Sequence, residues 1–426
     1  MAAPPARGPP QLSRSWEEVH AALRAVDAEL EADAYLVGGV VRDQLLGLPS
    51  RDVDLVVVGM PPEPLLARLA DRLGWPPPTV FERFATAHVA GDGFEVEAVR
   101  ARAEAYEPTS RRPTVRPGTL LEDVVRRDFT VNTLCLRLSD GELLDLTGRG
   151  LSDLNRRRLD TPLDPGVTLA EDPLRILRAA RLASTHGFVP EARLLTAMRE
   201  AAPRLALISV ERVAVELRRL LLGESAHLGL DLLVWGGAMA VVLPEAAAGA
   251  GTTQAAAACA PRLTTRLAAL LSAAGAEAAS AALLRLRFSR AEVDTVGALL
   301  RLHPESLAER APALDDAGVR RLALAAGELA PALLDLAAAL GARTDPGARA
   351  KVEWLAGRLA GLDPAGALAA RRVPLDGRAL GRVLGAEPGP AIGAAQRALL
   401  EAIAAGDIPA DDPAAAERWL RARQPR

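Results

Sequence analysis

The segment from Tyr35 to Gly59, YLVGGVVRDQLLGLPSRDVDLVVVG, constrains the fold of this chain more than any other. An apolar run ends at Gly38-Gly39, a helical pattern follows, and a second apolar run opens with Asp52 and Asp54. Apolar, β-branched runs bounded by glycine read as strands, so the unit is strand, turn, helix, strand. Side chains alternate along a strand, which puts Asp52 and Asp54 on one face and Val53 and Leu55 on the other. The strand reads as mostly buried, and two like charges on its inner part call for a cation.

Composition removes several alternatives. A chain of 426 residues is long enough for two or more domains. Lys351 is the only lysine and lies in neither a Gly-Lys-Ser/Thr loop nor a site that suits a Schiff base. Cys135 and Cys259 are too far apart in sequence to form a zinc spacing or a disulfide framework. The histidines form no HExxH pair and none directly precedes an aspartate, which disfavours a histidine metallohydrolase. The Pro-rich start lacks an apolar core, and no apolar run of spanning length is free of charge. The expectation is a cytoplasmic protein without a membrane segment. Net charge is −3, so any nucleic-acid contact must be local, and arginines do bunch at 111–112, 126–127, 156–158 and 175–181.

Strands are expected at YLVGG, VDLVVVG, ATAHVA, FEVEAV and VNTLCLRLS, the last turning at Asp140-Gly141 into ELLDL. Helices are expected around Trp16–Leu30 and Glu63–Leu73. From about Leu151 the strands stop, and helical periodicity with Gly and Pro punctuation runs to the end. Between FEVEAV and RRDFT, Arg100 to Val125 lacks steady periodicity and reads as a long loop containing Tyr106, Arg111 and Arg112.

Four constellations carry chemistry. Gly38 and Gly39 let a phosphate approach the backbone at a helix N-terminus, and Arg42 adds a charged fork. Asp52 and Asp54 are oxygen ligands suited to magnesium, with Glu97 as a possible third carboxylate. In RRDFTVNTL, Arg126 and Arg127 suit triphosphate oxygens while Asp128 and Asn132 can hydrogen-bond a ribose; the alternative is a surface arginine pair with an Asp cap. In EDPLRILRAARLA, Asp172, Arg175, Arg178 and Arg181 fall at three-residue intervals along one side of a helix. An arginine stripe there fits a polyanion; a solvated face or an ion-pair ladder would share the pattern. Together these residues imply nucleotidyl transfer.

In this order the segments resemble the class II tRNA nucleotidyltransferases, the CCA-adding enzymes, and their bacterial poly(A) polymerase relatives. The pattern GGxVRDxLLGxxxxDxD is met without mismatch from Gly38 to Asp54; RRDFTVNTL carries Thr133 where Ala is usual. DLTGRGLSDL has Arg149 after Gly148 and its second Asp one residue late, and Leu182 replaces a Phe in the fourth motif. The resemblance implies an α+β protein: a polymerase-beta-like nucleotidyltransferase α/β head followed by an elongated all-helical neck, body and tail. Its boundaries would be a disordered 1–14, a head at 15–150, a neck at 151–230, a body at 231–335 and a tRNA-binding tail at 336–426.

Carried over residue by residue, the resemblance implies that Asp52 and Asp54 hold Mg2+. Gly38, Gly39, Arg42, Arg126 and Arg127 would hold the triphosphate, with Asp128 and Asn132 on the ribose. Asp172 and Arg175 would read the Watson–Crick edge of the incoming base, with Arg178 and Arg181 extending that face. Substrates would be CTP, ATP and the tRNA 3′ end, with no membrane or protein partner. Addition of all of CCA is the first reading, favoured by the full-length segment before RRDFT. Partial CC- or A-adding activity, poly(A) polymerase activity and a non-catalytic RNA-binding module are the alternatives.

Overall fold

A computed structural model of the protein describes residues 14–105, 114–247, 251–363 and 366–423. The expected disorder of residues 1–14, Arg14 apart, and Tyr106, Arg111 and Arg112 lie outside this range. The chain divides into two compact units, Met1–Arg175 with Phe188–Glu200, and Ile176–Gly187 with Ala201–Arg426.

The first unit is built on a seven-stranded sheet. Its elements begin α1 (Trp16–Leu30), β1 (Asp33–Val37), α2 (Gly39–Leu45), β2 (Asp52–Val58) and α3 (Glu63–Leu73). Next come β3 (Thr79–Phe81), β4 (Thr86–Gly91), β5 (Phe94–Arg100), β6 (Arg102–Ala105), β7 (Thr114–Pro117) and α4 (Leu120–Val125). The strands β8 (Cys135–Arg137) and β9 (Leu143–Leu144) close the sheet, in the order β3-β4-β5-β2-β1-β8-β9. Within this sheet, among the described residues, only the β2–β5 pair is parallel; its register sets Asp52 opposite Glu95 and Asp54 opposite Glu97.

Sequence explains the element ends. Ser15 and Glu18 form a capping box on α1, and Gly74 closes α3 at φ +66. One face of the sheet buries Leu36, Val53, Leu55 and Val57, while α3 packs on β4 and β5 and supports α1. On the other face Tyr35, Val37 and Val56 pack with Val124 and Ala101, which covers one end of that face and leaves the Asp52–Asp54 end open.

The segment Arg100–Val125, expected as a loop, is ordered at both ends. β6 and β7 pair as an antiparallel hairpin, Arg102 opposite Pro117, and α4 follows with a Thr119–Glu122 capping box. The strands also do not stop at Leu151. After α5 (Gly150–Asn155), β10 (Arg158–Leu159) pairs in parallel with β11 (Val189–Pro190). Between these lie α6 (Pro165–Glu171) and α7 (Arg175–His186), and α8 (Ala192–Ala201) follows β11.

The second unit is helical throughout its described residues. Its first full helix after α7 is α9 (Val210–Leu221), whose Leu220 carbonyl accepts from Ser184 Oγ at 2.6 Å. Arg266 is buried and donates to the carbonyls of Leu221 at 2.6 Å, Gly223 at 2.7 Å and Cys259 at 3.1 Å. It thereby satisfies acceptors that the end of α9 leaves without helical partners. Near the C-terminus Leu380, Leu399, Leu400, Ile403 and Leu420 form a separate core. The stretches Leu263–Arg285 and Asp316–Gly341 are long and apolar enough to cross a membrane by composition alone, yet each is broken by a 3-10 turn, and Leu267–Leu271 is wholly buried in the bundle. They have the character of core helices.

Candidate active site

β1 delivers the chain to Gly38, which stands at φ +77, a conformation that side-chain-bearing residues rarely adopt. A Cβ there would lie 3.1 Å from Arg127 Nη1 and 3.4 Å from Asp54 Oδ2. The absent side chain therefore leaves a cradle with a guanidinium on one side and a carboxylate on the other. Gly38→Ala is expected to cost roughly 1–2 kcal/mol in stability and about tenfold or more in turnover. Thermal unfolding and steady-state rates measured on one preparation check both.

Asp52 and Asp54 share the open face of β2, as alternation requires, but that face meets solvent. The strand is buried through Val53, Leu55, Val56 and Val57 and not through its two aspartates, so the expectation of two carboxylates on an inner surface is corrected. Glu95 and Glu97 on β5 continue the face. Partial desolvation, and then the negative charge of Asp54, hold the Glu97 carboxyl above the usual carboxylate range, while His88 and Arg102 pull it down. Excess negative charge is thus concentrated where Asp54 meets Glu97. Among the described residues no three carboxylate, histidine or cysteine side chains form a metal-holding group by themselves.

Arg42 is buried, and its guanidinium is largely committed. It pairs with Asp43 at 2.7 Å and donates from Nη1 to Asn132 Oδ1 at 2.6 Å. Asn132 Nδ2 donates in turn to Asp128 Oδ1 at 2.9 Å, which also accepts from the Phe129 N–H. The first and second motifs are therefore joined by one buried polar chain, Arg42–Asn132–Asp128. Such a chain fixes side-chain positions because each unpaired member would be costly. Arg126 and Arg127 both pair with the buried Asp123, at 3.5 and 3.2 Å.

The third motif holds the second in place. Asp145 accepts from the N–H groups of Gly150 and Leu151 at the start of α5, and buried Asp153 accepts from Thr130 Oγ1 at 2.5 Å and Arg158 Nε at 2.7 Å. A Cβ on Gly150 would press to 2.9 Å from the Thr130 carbonyl. The departures from the family pattern have local partners. Arg149 reaches Asp160 and the carbonyls of Thr161 and Pro162, and Thr133 Oγ1 donates to the Thr130 carbonyl at 2.6 Å.

The fourth motif differs from its expected geometry. Asp172 is not on the arginine helix; it lies in an extended break after α6 and accepts from the Leu174 N–H at 3.1 Å. Arg175 opens α7 and donates to the Thr168 carbonyl at 3.0 Å and the Arg126 carbonyl at 2.8 Å, with Glu171 3.2 Å away. Arg178 and Arg181 face a protein anion: both pair with buried Glu216 of α9, at 3.6 and 3.0 Å. The polyanion explanation of the whole stripe is corrected accordingly, since two of its three arginines share a carboxylate between helices of the second unit. Cys135 and Cys259 are both buried, and burial pushes their thiols up to about 12, which leaves them unreactive.

Sequence comparisons match residues 34–160 to the poly A polymerase head domain and residues 187–249 to the probable RNA and SrmB-binding site of polymerase A. The tRNA nucleotidyltransferase cca2 of Schizosaccharomyces pombe is 35% identical over 223 residues, covering 46% of this chain and 45% of that protein. The CCA-adding enzyme of Limosilactobacillus fermentum is 37% identical over 206 residues, covering 47% and 49%. The chain thus spans about half the length of the curated relatives it matches. The crystal structure of the Bacillus stearothermophilus CCA-adding enzyme in complex with CTP superposes with a TM-score of 0.71 at 28% identity, over 96% of this chain and 98% of that one. Residues 34–160 thus match a poly A polymerase head domain, residues 187–249 a probable RNA-binding segment, and the chain shares its fold along its length with a CCA-adding enzyme.

Proposed function

We propose that the protein is a cytoplasmic, magnesium-dependent enzyme that adds C and A residues from CTP and ATP to the 3′ end of tRNA, completing CCA. The observation that carries this reading is the meeting of Gly38, Asp54 and Arg127 in one cradle beside Asp52 and Glu97. Nucleotidyltransferases of this fold generally use a divalent metal. The donor set fits magnesium, which is typically held by one or two carboxylates together with substrate phosphates rather than by an all-protein cage. Asp52 and Asp54 would hold it, and when bound it would polarise the α-phosphate and favour ionisation of the 3′-hydroxyl.

In the reaction the RNA 3′-oxygen bonds to the α-phosphorus, the bond from that phosphorus to the bridging oxygen breaks, and pyrophosphate leaves. The Gly38-Gly39 turn lets the triphosphate approach the backbone, and Arg126 and Arg127 supply positive charge beside it. Arg42, buried between Asp43 and Asn132, positions Asp128 and Asn132 for the ribose. Asp172 and Arg175, both in the first unit, read the base: Asp accepts, Arg donates, and small shifts can match either C or A. Arg178 and Arg181 fix α7 against Glu216.

The extent of addition is tested with tRNA ending at the discriminator base, at C and at CC, each with CTP and ATP. All three are expected to be completed to CCA. Arrest at CC on every substrate would leave a CC-adding enzyme, and extension of only the CC-ended substrate would leave an A-adding one.

A further inference from the structure

The open face of the sheet does not end at the carboxylates. Strand registers align Val37, Asp54, Glu97, His88 and Thr79 in one row across β1, β2, β5, β4 and β3. The next row carries Val56, Val99, Thr86 and Phe81. Beyond Glu97 these rows border a pocket of about 570 Å³ lined by Thr79, Phe81, Thr86, His88, Glu97 and Arg102, with Val99 in its wall. The volume falls within the range of small-ligand sites. Phe81 is 49% exposed in a chain with only six phenylalanines, and its ring faces a pocket otherwise lined mainly by polar groups.

The position relative to Asp54 assigns the occupant. In-line phosphoryl chemistry puts the attacking and leaving oxygens on opposite sides of the phosphorus. On its β1 side Asp54 neighbours Val37, and the chain then enters the Gly38 cradle with Arg127, the place for the leaving pyrophosphate. On its other side Asp54 neighbours Glu97 and then the pocket. We propose that this pocket receives the terminal nucleoside of the RNA acceptor, its base against Phe81 and its 3′-oxygen towards Asp54. From Asp54 to β4 is two strand spacings, about 10 Å, and β3 is one spacing further, which matches the reach of a nucleoside. Thr79 and His88 offer hydrogen bonds to sugar and base, and Arg102 offers charge to the preceding phosphate. Stacking on a single aromatic tolerates different bases, as an acceptor end that changes with each addition requires.

This assignment rests on the proposed nucleotidyl transfer, and the test separates the two. Phe81→Ala, at an exposed position, is expected to raise KM for tRNA about tenfold and leave KM for CTP unchanged, with thermal unfolding as the folding control. A tRNA whose last nucleotide is abasic but keeps its 3′-hydroxyl should suffer a similar loss with the unaltered enzyme and no further loss with the variant. A rise confined to CTP, no change in either KM, or an undiminished abasic penalty in the variant would each overturn the proposal. Should the unaltered protein transfer no nucleotide to tRNA, the proposed function fails and the pocket is judged by binding alone. The probe is then tRNA ending in 2-aminopurine. Its fluorescence should change on binding the unaltered protein and not the variant; an equal change with both would overturn the assignment.

Discussion

Asp54→Ala is expected to lower turnover at saturating CTP and magnesium by about a thousandfold or more, because several kcal/mol of transition-state stabilisation would depend on the metal that the proposed function assigns to it. The tRNA should still bind with near-normal affinity, since a ligand needed mainly in the transition state contributes little to ground-state association. Asp52→Ala should behave alike. Exposure of both side chains makes this a clean test, since neither carboxylate supports the core. Rapid-quench turnover alongside equilibrium tRNA binding checks it; near-normal turnover in either variant would remove the metal assignment.

Arg175→Ala should reduce discrimination of CTP and ATP against UTP and GTP by about a hundredfold, because a site built around hydrogen bonds loses selectivity when a donor is removed. The arginine also grips the Thr168 and Arg126 carbonyls, so some loss of overall rate should accompany the loss of choice. The ratio of kcat/KM values for the four nucleotides separates these effects. A uniform fall for all four would make Arg175 a positioning residue that acts through the Arg126-Arg127 segment.

Much of the first unit was legible because its strands alternate cleanly. DVDLVVV and FEVEAV each bury every second residue at their starts, and the Asp52–Asp54 face followed from that period alone. What alternation could not supply was the degree of burial of the open face, which depends on how far α4 and its hairpin extend across the sheet. The break at Asp172 had a signal that helical spacing overrode: Asp172 precedes Pro173, and a residue before proline is driven out of the helical region. Helix α4 had one as well, since Thr119 and Glu122 stand at capping-box spacing.

Other features had no local signal. Glu216 lies 38 residues beyond Arg178 on another helix, so the ion pairs that claim Arg178 and Arg181 come from tertiary packing. Asp123, by contrast, stands three and four residues before Arg126 and Arg127, a local spacing that becomes legible once α4 is recognised. Strand β3 is three residues long and follows a proline run, which hid both the strand and the exposure of Phe81.

The most direct measurement follows the label from CTP into tRNA that lacks its CCA end. With the α-phosphate labelled, radioactivity should appear in the tRNA 3′ terminus and one pyrophosphate should be released for each residue added; with the γ-phosphate labelled, the tRNA should stay unlabelled. Release of orthophosphate without incorporation, or binding of tRNA with no transfer at all, would contradict nucleotidyl transfer as the work of the Asp52–Asp54 site.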